Sequence, residues 1–92
     1  MNIKHAQYML TVMQEGSITA AAKKLYISQP SLSQMIKLVE TNLGTPIFNR
    51  STDPITLTYA GEKYIEAAKQ ILTINNNLQK EIDEINHEDH GC

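Results

Sequence analysis

Residues Gly16–Phe48, GSITAAAKKLYISQPSLSQMIKLVETNLGTPIF, decide how this chain is read. The stretch divides into a short alanine-rich helix, a tight connection and a second helix with two unlike faces. Ser17 can cap the first of these, spanning about residues 17–24, by accepting a bond from an unpaired backbone N–H. Ala20, Ala21 and Ala22 permit close approach of a neighbouring helix, and Leu25 and Ile27 anchor its exit. Ser28 caps the next helix, about residues 28–43, and Pro30 sits in its first turn, where a missing N–H costs nothing. Leu32, Met35, Ile36, Val39 and Leu43 recur at helical spacing as an apolar stripe. Pro30, Ser33, Gln34, Lys37 and Thr41 form the opposite stripe at the same period. Small and polar residues gathered on one face imply that something reads them, and the major groove of DNA fits their chemistry. Gly44 stops the helix.

Working outward, Ile3, Ala6, Met9, Leu10 and Met13 predict a helix over residues 3–15, ended by Gly16. After Gly44 come two short β-prone runs, Pro46-Ile47-Phe48 and Ile55-Thr56-Leu57, around a Ser-Thr-Asp-Pro turn. They read either as a connecting loop pinned by Phe48 or as a small hairpin, and beside a helix-turn-helix the hairpin, a wing, is favoured. Thr58 then caps a long fourth helix running to about residue 87, roughly 45 Å at 1.5 Å per residue. Along it, Tyr64, Ala68, Ile71, Asn75, Leu78, Ile82 and Ile85 alternate by four and three, a heptad seam. A helix longer than its own domain needs, with a seam along it, predicts a dimer interface. Asn75 on that seam can fix register at some cost in stability. Ile65, Leu72 and Ile74 add a second apolar flank for the helix's own domain.

The 92 residues suit one domain with a modest core. No run of about 18 apolar residues is present, so no membrane span is expected, and the N-terminus lacks the pattern of a secretory signal. A single cysteine, Cys92, cannot form an internal bridge, which fits a cytoplasmic protein. The formal net charge of −2 argues against nucleic acid until it is divided. Residues 1–57 carry five cations against three anions, net +2, and residues 58–92 carry three against seven, net −4. A mildly basic body is followed by an acidic helix.

These residues together resemble a known pattern. Ala21-Ala22, Leu25, Ser28-Gln29-Pro30-Ser31-Leu32-Ser33, Ile36, Glu40, Leu43-Gly44, Ile47-Phe48, Arg50, Leu57-Thr58 and Ala60-Gly61 look like the N-terminal domain of LysR-type bacterial transcriptional regulators. The resemblance covers residues 1 to about 87 and agrees in order and spacing across three elements. It implies a mainly α fold: a winged helix-turn-helix of three helices plus a short β-hairpin wing (residues 1–57), then a long dimerising linker helix (58–87) and a flexible tail (88–92). Regulators of this family are longer and carry a domain for a small-molecule effector. The chain is therefore expected to be a DNA-binding fragment of such a regulator or an engineered truncation. It needs no cofactor of its own, and its partners are a double-stranded DNA operator and a second copy of itself.

By chemistry and by the family's pattern, Gln29, Pro30, Ser31, Ser33 and Gln34 are candidates for reading bases. Gln29 can pair with adenine N6 and N7, Ser33 can donate or accept, and Pro30 and Ser31 can pack on a thymine methyl. Thr19, Lys23, Lys37 and Arg50 are candidates for phosphate, with Arg50 supplied by the wing. The sequence departs from the family in its charges. Asp53 stands where many relatives carry a second wing arginine, and Gln34 and Leu38 where many carry arginine. That predicts modest affinity and a shallow salt dependence.

Two other binding readings remain open: the winged domain of a molybdate-responsive type of regulator, and a protein-interaction module built on the acidic helix. An enzyme is not expected, because no Ser/His/Asp or Cys/His set is evident and the late carboxylates lack an apolar pocket to separate their pKa values. His87 and His90 have a spacing that can share a metal, but a terminal His-Glu-Asp-His run reads as a tail, and no metal site is assigned.

Overall fold

A computed structural model describes residues 1–90, with side chains described through residue 87. In order it has α1 (Ile3–Glu15), α2 (Ile18–Leu25), α3 (Gln29–Leu43), β1 (Phe48–Asn49), β2 (Thr56–Leu57) and α4 (Tyr59–His90). The serine caps work as their chemistry requires. Ser17 accepts from the Ala20 N–H at 3.1 Å, and Ser28 from the Ser31 N–H at 3.2 Å. Asn2 caps α1 in the same way, accepting from Lys4 N–H at 2.7 Å, a signal the sequence reading passed over.

Gly16 has two reasons to be glycine. It ends α1 in the left-handed region at φ 68°. It also receives the returning wing: Ile55 N–H donates to its carbonyl at 2.9 Å, and a Cβ there would stand 2.8 Å from Cβ of Pro54. The turn between α2 and α3 has no glycine. Tyr26 takes the left-handed conformation instead, at φ 58°, at a cost of about 1 kcal/mol. Its N–H bonds to the Lys23 carbonyl at 3.2 Å, and that of Ile27 to Ala22 at 3.1 Å.

The three short helices pack as a layer around Ala6, Met9, Val12, Ala21, Ala22, Leu32, Ile36 and Val39, with Ile47 and Phe48 closing one side. No charged side chain is buried among the described residues. Leu43, placed on the apolar stripe of α3 by its period, is half exposed, because it lies in the last turn of the helix at the edge of the core. The two strands pair antiparallel, Phe48 opposite Leu57 and Asn49 opposite Thr56. They are a residue shorter than the β-prone runs and make a small wing.

At the join between wing and α4 the two backbones approach closely. Thr58 N–H donates to the Ile47 carbonyl at 2.9 Å, and its hydroxyl donates to the Pro46 carbonyl at 2.7 Å. The same hydroxyl caps α4 by accepting from Gly61 N–H at 2.9 Å. A Cβ on Gly61 would overlap the Ile47 carbonyl oxygen.

Three expectations about α4 are corrected by the structure. Tyr64 and Ala68, assigned to the dimer seam, lie inside the domain, 8% and 0% exposed, where α4 crosses α1. Burial in the chain's own core leaves Ala68 no surface for a partner and Tyr64 only a little. It also means that the division drawn at residue 57 cuts through the packed unit, which continues through Ile65 and Ala68 to the half-buried Leu72. The helix itself runs to His90 rather than ending at about residue 87, so residues 88–90 are not a separate tail, and residues 91–92 lie outside those described. The Tyr64 phenol is pushed up by burial, and its hydroxyl has no hydrogen-bond partner among the described residues. No described helix is long and apolar enough to cross a membrane.

Replacing Gly61 by alanine is expected to cost about 2 kcal/mol, because the added carbon meets backbone rather than a yielding side chain. Urea unfolding at fixed protein concentration measures it, and an unchanged midpoint would contradict the packing at Ile47.

Candidate nucleic-acid interface

Helix α3 is built to be seen from one side. Leu32 and Ile36 are fully buried and Val39 nearly so, while Gln29, Pro30, Gln34, Lys37 and Thr41 are exposed and Ser33 is half-buried. At about 100° per residue, Pro30, Ser33, Gln34, Lys37 and Thr41 occupy one outward arc. Gln29, Ser33 and Glu40 fall along one flank of that arc, the flank facing the wing. Ser31 and Leu38 fall on the other.

The N-terminal turn of α3 carries a small hydrogen-bond system. Gln29 donates through Nε2 to Ser33 Oγ at 2.9 Å. An amide nitrogen has two hydrogens, so Gln29 keeps one donor and its carbonyl acceptor free, the pair that an adenine edge requires. Ser28 Oγ donates to Ser31 Oγ at 2.7 Å while accepting the Ser31 N–H. The Ser31 hydroxyl is thus turned back into the cap rather than outward. Of the five base-reading candidates, Gln29, Pro30, Ser33 and Gln34 are brought together, and Ser31 stands apart on the far flank.

The phosphate candidates divide in the same way. Thr19 is exposed in the first turn of α2, and Lys23 and Lys37 are exposed with no ion pair among the described residues. Lys24, next to Lys23, is tied to Glu15 at 3.4 Å, which explains why only one lysine of the pair is free. Arg50 is not free. Its Nη2 lies 3.2 Å from Glu40 Oε1, with 47% of its side chain exposed. Asp53 is exposed in the wing turn and makes no capping bond among the described residues; Thr52 closes that turn, its hydroxyl donating to the Asn49 carbonyl at 3.1 Å. The sequence reading missed Tyr26. It is 94% exposed, in the turn just before α3, and only its backbone conformation singles it out.

Beyond the core, α4 carries the open part of the seam. Ile71 is half-buried, and Asn75, Leu78, Ile82 and Ile85 are exposed, joined on the flank by Ile74 at 68%. The molecule measures 57 × 25 × 21 Å, its long axis set by this helix standing clear of the body. A shallow apolar groove of about 500 Å³, lined by Met1, Leu43, Tyr59 and Ala67 among others, flanks the first turns of α4.

Against known proteins, residues 3–62 match the family described as bacterial regulatory helix-turn-helix protein, lysR family. The chain belongs to the LysR family. It is 32% identical over 91 residues to the HTH-type transcriptional regulator MetR of Haemophilus influenzae, covering 99% of this chain and 29% of that protein. It is 39% identical over 89 residues to the regulator BsdA of Bacillus subtilis, covering 96% and 31%. The chain therefore spans about three-tenths of the length of these two relatives. Among solved structures, it is similar to the BenM DNA-binding domain in complex with catB site 1 DNA, at a TM-score of 0.87 and 32% identity, covering 92% of this chain and 96% of that one. It is also similar to the CbnR DNA-binding domain–DNA complex, at a TM-score of 0.83 and 30% identity, covering 92% and 98%. The winged helix-turn-helix is that of a LysR-type DNA-binding domain, and the molybdate-responsive alternative gives way to it. The family is one of transcriptional regulators rather than of enzymes.

Proposed function

We propose that this chain binds duplex DNA sequence-specifically, as a pair, and serves as the reading head of a LysR-type transcriptional regulator. The observation that carries this is the outward arc of α3, where Gln29, Pro30, Gln34 and Lys37 stand exposed above a fully apolar opposite face. In a helix-turn-helix the first residues of that helix enter the major groove while the preceding helix braces on the backbone. Gln29, held by Ser33, reads adenine, and Pro30 offers apolar contact to a thymine methyl. Thr19, Lys23, Lys37 and Arg50 grip phosphates. The site works in the cytoplasm without catalysis and without a cofactor, and the small-molecule effector is bound by another domain of the longer protein.

Pairing runs through α4. Read outward from the middle, its seam matches its own reverse: Ile71 meets the partner's Ile82, and Asn75 meets the partner's Leu78. Charge favours this antiparallel sense. A parallel pair would put the acidic stretch of both copies, Glu81 to Glu84, at the same end, whereas the reverse sets the two stretches at opposite ends. Two-fold symmetry then calls for two related half-sites.

Selection of bound duplexes from a random pool tests the reading directly. Gln29→Ala is expected to relax preference at one position of each half-site, worth about 1–3 kcal/mol of discrimination; a preference for selected over random duplexes that is unchanged by the substitution would remove Gln29 from the readout. With Lys23, Lys37 and Arg50 as its cations, a dimer neutralises about six phosphates, so log K against log salt should fall with a slope of about −5. A slope of about −9, that of ten contacts, would contradict this charge assignment. Ile82→Asp, at a residue 42% exposed and outside the core, should give a folded monomer by sedimentation. It should bind a two-half-site duplex at least about tenfold more weakly, since linked binding is lost. A dimer that persists would place the interface elsewhere.

A further inference from the structure

Glu40 stands on α3, yet every bond of its carboxylate goes to the wing. Oε2 accepts the Ile47 N–H at 2.7 Å and the Phe48 N–H at 3.4 Å, and Oε1 holds Arg50 Nη2 at 3.2 Å. The Glu40 side chain is 16% exposed and that of Arg50 is 47% exposed, so the acid is shielded while half of the base faces water. Glu40 lies on the same flank of α3 as Gln29 and Ser33, eleven and seven residues further along the helix. The wing is therefore hung from the side of the recognition helix on which Gln29 is itself held.

An arginine has five N–H donors, and among the described residues Glu40 engages only Nη2. The rest of the fork is free to meet a phosphate. A long unattached arginine must give up rotamer freedom to do so; one already tethered has given it up before DNA arrives. The acid's own charge, which would oppose a phosphate, is shielded and satisfied by two backbone N–H groups and the guanidinium.

We infer that Glu40 is a positioning residue for DNA binding: it fixes Arg50 relative to the recognition helix, so that wing and helix grip the duplex as one unit. This rests on the DNA-binding reading above. The decisive variant is Arg50→Lys, at a half-exposed site where folding is not at risk. It keeps the charge and loses the fork, so the selected duplex should be bound about tenfold more weakly with an unchanged salt slope. Arg50→Ala should bind more weakly and flatten the slope by about 0.9 per protomer. Glu40→Gln keeps an acceptor for the Ile47 N–H but loses the charge that holds Arg50. It should weaken binding about as much as Arg50→Lys, and cost nothing further when added to Arg50→Ala. A merely structural Glu40 would weaken both backgrounds by the same factor, and that result overturns the inference. So does an Arg50→Lys variant that binds like the parent, or a Glu40→Gln variant that binds more tightly. If Glu40→Gln does not fold, Arg50→Lys decides alone. A parent chain that retards no duplex defeats the DNA reading and this inference together; a parent that binds while Arg50→Lys is silent defeats only the inference.

Discussion

The carbonyl of Ile47 is where the molecule is tied together. It accepts the Thr58 N–H, and α4 passes so close above it that only Gly61 fits there. The Thr58 hydroxyl joins the same knot from the other side, donating to Pro46 and receiving the Gly61 N–H from the first turn of α4. Three things follow from one contact. The wing is closed at its base, because the strand that leaves Ile47 returns at Thr58. The direction of α4 is set at its first turn. And Tyr64, Ile65 and Ala68 are delivered onto α1 and α3, completing a core that three short helices could not fill alone. The long helix is thus part of the domain before it is an arm extending from it.

On the opposite side of β1 the wing is held by charge rather than by close approach. Glu40 takes two backbone N–H groups and a guanidinium within a few ångströms of the Ile47 knot. The two ties act on successive residues, so the wing has little freedom to swing against α3. Rigidity of this kind suits a reader with few charges. A body with a net charge of only +2 over residues 1–57 gains little from long-range attraction. It must rely on contacts that are already in place.

Much of this was legible in the residues. Ser17, Ser28 and Thr58 cap helices because a short hydroxyl side chain satisfies an orphan N–H locally, and Gly16 and Gly44 end them for an equally local reason. The two faces of α3 follow from period alone, so Gln29, Pro30, Ser33, Gln34 and Lys37 could be named in advance. The failures share one cause. The heptad seam of α4 is continuous in sequence, but the first part of it, Tyr64 and Ala68, is used by the chain's own core and the remainder is not. Period cannot say which surface a stripe meets. The tether of Arg50 to Glu40 gave no signal for a like reason, since Glu40 lies ten residues earlier on another element. Tyr26 gave no signal at all, because its left-handed turn is imposed by the helices on either side.

The residues alone were enough for the helices, their caps, the outward face of α3 and the family, all of which depend on neighbours within about a turn or on a pattern of residue types in order. Only the tertiary structure decided where the domain ends, which part of the long helix is open to a partner, and which cations are already spoken for. Those depend on pairs of groups far apart in the chain, Ile47 with Gly61 and Glu40 with Arg50, whose meeting is settled by packing.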